Sequence, residues 1–180
     1  MVFPLARAGA PAHADMPPEV RDLYEEAAAV TPISRRAGAA LARATVERLI
    51  KHLDAGAPAN ARLDDRIALL HGRISTPLQQ LLDIVRVLGN DMLHVDEQPG
   101  DLAVIALDED QGPGVIELVL RAANDLVDEL VTRPRTTSSL WAHLSPGTQQ
   151  NIRAKQTRLG VEVPAPTDES TPVPPSPSAN

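Results

Sequence analysis

The chain contains no cysteine, and this absence excludes several classes of site at once. Disulfides, thiolate metal sites such as a zinc ribbon, and thiol nucleophiles all need that side chain. No apolar run approaches the ~20 residues of a membrane-spanning helix. We therefore expect a cytoplasmic protein without a membrane segment, in a compartment that can be reducing.

Aromatic side chains are almost absent, since Phe3, Tyr24 and Trp141 are the only ones in 180 residues. The apolar fraction of 43% comes mainly from alanine, leucine and valine. Sheet sandwiches rely on aromatic and β-branched faces, whereas helices pack closely through small residues. The composition thus favours an all-α fold, and no convincing alternating strand pattern contradicts it.

Basic residues are fewer than acidic ones, 17 against 24, so the net charge is −7. Non-specific binding to nucleic acid comes mainly from neutralising phosphates with Lys and Arg, so this balance argues against it. The charge is unevenly placed, with six acidic and no basic residues between Asp96 and Asp110, and five basic and no acidic residues between Thr132 and Arg158. The basic stretch predicts either a solvated tail or a local basic surface.

Five helical patterns follow one another, each with a recognisable start signal. Ser34 and Asn60 are suitable N-caps, and Thr76-Pro77 combines a cap with a proline in the first turn. The expected bounds in chain order are Glu19 to Val30, Ser34 to Asp54, Asn60 to Gly72, Thr76 to His94 and Gly114 to Thr132.

The three longer helices each have one apolar face at the i, i+3, i+4 spacing that predicts burial. The predicted core residues are Val46, Leu49, Ile50 and Leu53; Leu78, Leu81, Leu82, Val85, Leu88 and Met92; and Ile116, Val119, Leu120, Ala123, Leu126 or Val127, and Leu130. Gly89 falls within the apolar sector of the fourth helix, where glycine costs up to ~1 kcal/mol relative to alanine. We expect another helix to pass close to it.

The chain divides by composition into four segments. Residues 1–15 form an extended leader, and residues 16–133 form the helical bundle domain. Residues 134–163 are a linker that can carry a short helix from Ser145-Pro146 to Arg158. Residues 164–180 are dominated by proline, serine and threonine, which predicts a disordered tail.

A polar stripe on the fourth helix is the one candidate seat of chemistry. Arg86, Asn90 and His94 lie four residues apart and therefore one turn apart, so a cation, an amide and an imidazole can converge on one anionic group. The alternative is structural, with Asn90 and His94 bonding a neighbouring loop or helix end. Arg43 and Glu47, also four apart, predict either a surface ion pair or a binding contact.

Other chemistries lack a motif. There is no phosphate-cradling glycine loop, no Gly-x-Ser-x-Gly elbow and no His-Glu-x-x-His pair. Asp108 and Asp110 are spaced like the start of a calcium loop, but Gly112 and Pro113 occupy positions that need a ligand and a glycine. We therefore expect neither a metal nor a cofactor.

Three segments carry a pattern in order: Met16-Pro-Pro-Glu-Val-Arg-Asp-Leu-Tyr-Glu-Glu-Ala, Arg43-Ala-Thr-Val-Glu47-Arg-Leu-Ile and Leu88-Gly89-Asn90-Asp-Met-Leu-His94. Over about residues 16–133 the chain resembles the domain of unknown function 4145 family, a bacterial helical module. That family is similar to the HEPN superfamily of helical bundles, many of which dimerise and cleave RNA without a metal through an Arg-Asn-x-x-x-His motif. The resemblance implies a HEPN-like bundle of about five helices, a homodimer, and RNA or protein as partner.

Asn90 and His94 match the last two elements of that motif, whereas Gly89 stands where the arginine belongs. Arg86 lies one turn away. Because glycine supplies no charge to stabilise a phosphorane, the resemblance favours a non-catalytic interaction and dimerisation module linked to nucleic-acid processing or defence. The alternative is a metal-independent ribonuclease that uses Arg86, Asn90 and His94.

Overall fold

The structure is a computed structural model. It describes residues 7–53, 57–58, 60–93 and 112–160, with the backbone alone for 88–93 and 112–113. Helices are the only regular elements within those ranges: α1 (Pro18–Val30), α2 (Arg35–Leu53), α3 (Leu63–Leu69), α4 (Thr76–Leu93), α5 (Gly112–Val127), a π-helical segment (Asp128–Thr132), α6 (Arg133–Ala142) and α7 (Pro146–Arg158). The predicted all-α class is confirmed.

The chain forms two compact units, Met1–Thr136 and Thr137–Asn180. In the first unit α1 packs on α2, α2 and α4 pack on α5, and α3 packs mainly against α4. The predicted apolar faces form its core: Val46, Leu49, Ile50, Leu78, Leu82, Val85, Ile116, Val119, Leu120, Ala123, Leu126 and Val127 are buried, and Leu53, Leu81 and Leu130 are partly buried. The side chains of Leu88 and Met92, and the close approach expected at Gly89, lie outside the described part.

The turn between α1 and α2 packs against Gly38. A Cβ atom at that position would lie 2.3 Å from the Thr31 Oγ1 and 2.7 Å from the Thr31 Cα. Ser34 caps α2 as predicted, because its hydroxyl oxygen accepts the Ala37 N–H at 3.3 Å. The cap and the glycine together let the chain reverse within a few residues.

The third helix begins later than the sequence predicts. Its N-cap is Arg62, and the Asp65 carboxylate accepts the Arg62 N–H at 3.2 Å, so the Asn60 cap is wrong. The buried Arg66 guanidinium donates to the Pro58 carbonyl at 2.8 Å and to the Ala61 carbonyl at 3.2 Å, which holds the preceding residues in a non-helical path. Gly72, at φ +76°, follows the helix end as expected.

The fifth helix does not end near Thr132, and that prediction is wrong. Residues Asp128–Thr132 are π-helical, with the Arg133 N–H donating to the carbonyl of Asp128, five residues earlier. Proline lacks an N–H, and in a regular α-helix its ring clashes with the carbonyl four residues before it. The wider π turn just before Pro134 lets the helix continue as α6.

Residues 7–17 form no helix and pack on the helices of the first unit. Ala8 and Met16 are buried, and the Ala8 N–H donates to the Ala28 carbonyl at 3.0 Å. No helix in the described ranges is long and apolar enough to cross a membrane. The acidic segment 96–110 and the tail 164–180 lie outside the described residues.

The second unit contains the end of α6, from Thr137, and the whole of α7, joined by a short turn. We call residues Thr137–Gly160 the α6–α7 hairpin. The short helix predicted from Ser145-Pro146 is confirmed as α7, and the Ser145 hydroxyl oxygen accepts the Thr148 N–H at 3.3 Å. The Gln149 amide donates to the carbonyls of Trp141 at 2.9 Å and Leu144 at 3.1 Å, which closes the loop. Neither α6 nor α7 has a buried residue.

Candidate functional site

Arg86, the first residue of the polar stripe, is part-exposed on α4 between two carboxylates. Its Nη1 lies 3.6 Å from an Asp64 carboxylate oxygen of α3, and its Nε lies 3.9 Å from an Asp83 oxygen one turn earlier. Exposed pairs of this length contribute at most about 1 kcal/mol each. They nevertheless place two negative charges beside the only cation of the stripe, which weakens its attraction for a phosphate.

The structure describes only part of the other two residues of the stripe. Helix α4 is continuous through Arg86 and Asn90, so its backbone places these residues one turn apart. The side chain of Asn90 and the whole of His94 lie outside the described part of the chain. The convergence of Arg86, Asn90 and His94 therefore stays a prediction.

Arg43 and Glu47 do not form the ion pair that their spacing predicts. Glu47 instead pairs with Lys51, whose Nζ lies 2.7 Å from the carboxylate. A glutamate four residues before a lysine is the favourable order for an ion pair on a helix, which explains why Glu47 pairs with Lys51 and not with Arg43. The Arg43 Nη1 is buried and has no hydrogen-bond partner among the described residues.

A cavity that sequence reasoning missed lies between residues 7–10, α1 and α5. Its volume is about 370 Å³, and the residues that shape it include Arg7, Tyr24, Glu117, Arg121 and Asn124. Arg7 pairs with Glu25, and the Glu117 carboxylate accepts the Gly9 N–H at 3.3 Å. With Arg7, Glu117 and Arg121, the lining carries both signs of charge.

Two of the residues that line this cavity, Tyr24 and Asn124, belong to a hydrogen-bond network with residues 10–13. Tyr24, with none of its surface exposed, donates to the Ala10 carbonyl at 2.7 Å and accepts from the Asn124 amide at 3.2 Å. Asn124 also donates to the Pro11 carbonyl at 3.0 Å and accepts the His13 N–H at 2.8 Å. Burial raises the pKa of the Tyr24 hydroxyl, which keeps it a neutral donor. These groups fasten residues 10–13 to the bundle.

One signal in the sequence points to this network. Asparagine is a poor residue for a helix interior because its amide competes for backbone hydrogen bonds. Asn124 nevertheless lies between the core positions Ala123 and Leu126. The physical explanation for an asparagine at this position is a hydrogen-bond partner from another part of the fold. The sequence alone does not identify that partner as residues 10–13.

Among the described residues, no three histidine or carboxylate side chains come together as metal ligands. The chemistry available at α4 is therefore that of one ion-paired guanidinium and the amide that follows it. At the cavity, the available chemistry is that of charged side chains beside polar groups that already have hydrogen-bond partners. Neither arrangement shows a nucleophile next to a base.

Helices α1 to α5 around one apolar core define an all-helical bundle domain. Residues 25–139, well over half of the chain, match the family model described as Domain of unknown function (DUF4145). The chain belongs to this family, as its motifs predict. Comparisons with curated proteins and with solved structures gave no match. The family match ends within α6, and α7 lies beyond it.

Proposed function

We propose that the bundle is a non-catalytic, HEPN-like interaction module that forms a homodimer and is linked to nucleic-acid processing or defence. The observation that carries this proposal is the pairing of Arg86 with Asp64 and Asp83. Gly89 supplies no charge in place of the missing arginine, and the nearest substitute on α4 is already engaged by carboxylates. An interaction role needs neither a free cation nor a second reactive group.

The outer face of α4 supplies the dimer surface of this proposal. Ile84 is 42% exposed and Val87 is 37% exposed, and their three-residue spacing puts them on one face. That face lies beside the polar stripe, because Val87 and Asn90 are also three residues apart on the same helix. An apolar centre with a polar rim is the usual anatomy of a protein interface.

Light scattering of the full chain tests the dimer. At tens of micromolar we expect a mass of twice 19.2 kDa. The double change Ile84→Glu and Val87→Glu should give a monomer of unchanged helicity, because it buries two carboxylates in the interface. The control Ile33→Glu, at a 69% exposed residue between α1 and α2, should stay dimeric. A monomeric wild-type chain contradicts the proposal.

The alternative, a metal-independent ribonuclease, has one supporting observation, since α4 places Arg86 and Asn90 one turn apart. The measurement is RNA integrity with wild-type and His94→Ala chains in the presence of a chelator. The proposal expects intact RNA with both. Cleavage by the wild type that disappears in His94→Ala, with helical content unchanged, would establish the nuclease instead.

A further inference from the structure

The α6–α7 hairpin, residues Thr137–Gly160, has a charge balance opposite to that of the whole chain. From Thr137 to Gly160 there are three lysine or arginine residues and no acidic residue, whereas the full chain has a net charge of −7. This hairpin lies almost entirely outside the residues that match the family model. A function of its own is therefore independent of the function proposed for the bundle.

The cations of the hairpin are not engaged by carboxylates of the described chain. The two preceding arginines are, since Arg133 lies 2.7 Å from Asp128 and Arg135 lies 2.6 Å from Asp15. By contrast, Arg153, Lys155 and Arg158 are exposed and form no ion pair with any described residue. Lys155 and Arg158 also favour the C-terminal end of α7 through the helix dipole. That effect does not explain Arg153, which lies more than a turn from the end.

Two of these cations line a depression on α7. Asn151, Ala154, Lys155 and Arg158 follow the i, i+3, i+4, i+7 spacing and bound a volume of about 350 Å³. The small alanine leaves room above the helix, while an amide, an ammonium and a guanidinium surround that space. This donor set suits a phosphate, which accepts charge-assisted hydrogen bonds from each of them.

Trp141 lies on the side of the hairpin where α6 and α7 meet. The Arg153 guanidinium carbon is 6.0 Å from the centre of the indole ring, and Gln149 bonds the Trp141 carbonyl and fixes the position of the backbone. The indole is partly exposed. An aromatic ring beside an arginine offers stacking to an unpaired base, which is worth about 1–3 kcal/mol per base.

We propose that the α6–α7 hairpin binds single-stranded nucleic acid, with phosphates at Lys155 and Arg158 and a base at Trp141 and Arg153. A single strand is favoured over a duplex because only unpaired bases stack on a side chain. A membrane surface is disfavoured because α7 is rich in amides and has no apolar stripe, whereas a membrane-surface helix needs one. Charge complementarity and the aromatic ring together select this partner.

Trp141 is the only tryptophan, so its fluorescence reports from the proposed site alone. The full chain is titrated with a short oligouridine, and we expect saturable quenching. With two phosphates neutralised and a slope of about −0.7 each, the affinity should fall about sevenfold between about 50 mM and about 200 mM salt. The absence of saturable quenching at the lower salt concentration would overturn the proposal.

Matched variants locate the binding. Lys155→Gln with Arg158→Gln should weaken binding about tenfold or more at the lower salt concentration and bring the salt slope close to zero. Arg36→Gln with Arg48→Gln removes the same charge from exposed positions of α2 and should change little beyond the small effect of net charge. Equal weakening in both pairs would overturn the proposal, because it would reduce the effect to net charge.

Two further readouts separate this proposal from its rivals. A response of Trp141 to phosphatidylserine vesicles without a response to oligouridine would make the hairpin a membrane surface and overturn the assignment. Light scattering on the same samples reports the dimer of the bundle independently. Lys155→Gln with Arg158→Gln should leave the mass unchanged, so failure of one proposal is distinguishable from failure of the other.

Discussion

Gly38 is a residue at which helix propensity and packing predict opposite effects. In a helix interior, alanine is favoured over glycine by up to about 1 kcal/mol. The Cβ of an alanine here would lie within 2.7 Å of the Thr31 Cα, which is backbone and cannot rotate away. Inserting an atom into such a contact typically costs about 1–3 kcal/mol, so the clash opposes the gain in propensity and should exceed it.

We therefore expect Gly38→Ala to lower the free energy of unfolding by about 1 kcal/mol or more, measured by urea denaturation. Gly114→Ala in α5 is the control, since no atom that the structure describes lies within 4 Å of its added Cβ. That change should be neutral or slightly stabilising. A stabilised Gly38→Ala chain would mean that the turn after α1 yields easily.

Two aspartates, Asp15 in the segment before α1 and Asp125 within α5, have opposite pKa shifts. Hydrogen bonds from Arg135 at 2.6 Å and Thr132 at 2.7 Å lower the pKa of Asp15. Burial raises the pKa of Asp125, and the nearby Arg121 only partly offsets this. The ionised form of Asp15 thus stabilises the fold, whereas the ionised form of Asp125 destabilises it.

The sign of each effect follows from linkage. The contribution of Asp15 is present above the ordinary aspartate pKa of about 4 and is lost as the pH falls through its lowered value. Asp15→Asn should therefore be less stable than the wild type at neutral pH, with the difference shrinking on acidification. Urea denaturation across the acidic range measures this difference, and a gap that stays constant with pH would contradict it.

Asp125→Asn, in α5, provides the opposite control. Because its carboxylate is penalised by burial, the amide should stabilise the protein at neutral pH. That gain should shrink once the pH falls below the raised pKa of Asp125, and it should be lost below the ordinary aspartate pKa of about 4. The two variants together separate specific titration from a general loss of stability in acid.

At the scale of the whole molecule, every buried residue that the structure describes lies between Ala8 and Val127 of the sequence. A chain that ends at Ala142 loses α7, and none of the side chains that the structure describes beyond Ala142 is buried. We expect its thermal midpoint, followed by circular dichroism, to stay within about 2 °C of the full chain. A drop of several degrees would mean that α7 supports the bundle.

Removal of residues 1–15 is the contrasting truncation. It deletes the buried Ala8, the backbone groups that bond Tyr24 and Asn124, and the carboxylate of Asp15. An unsatisfied buried polar group costs about 1–3 kcal/mol. This chain should therefore lose several degrees in its thermal midpoint.

The parts of the fold that depend on local signals were predictable from the sequence. The apolar faces of α2, α4 and α5 follow from helical spacing, and Ser34 and Ser145 act as caps within a few residues. The continuation of the helix past Pro134 was not predictable. The π turn before Pro134 is held by a hydrogen bond from the Thr132 hydroxyl to the Asp15 carboxylate, 117 residues away.

The candidate site shows the same division. Spacing along α4 predicts that Arg86 and Asn90 share a face. It says nothing of Asp64, which reaches Arg86 from α3. The cavity above Tyr24 depends on residues 7–10, whose position is fixed by contacts with α1 and α5. Partners that come from another element cannot be read from periodicity in one helix.

The π-helical segment Asp128–Thr132 has a consequence for comparing this chain with its relatives. A π turn holds about one residue more than an α turn, so it acts as a single inserted residue. Downstream of it, the side chains are rotated by about 100° from the directions of an uninterrupted α-helix. A relative that is α-helical throughout this region should therefore align with the chain beyond Thr132 only after a gap of one position. An ungapped alignment would pair Arg135 with the wrong side of that relative's helix.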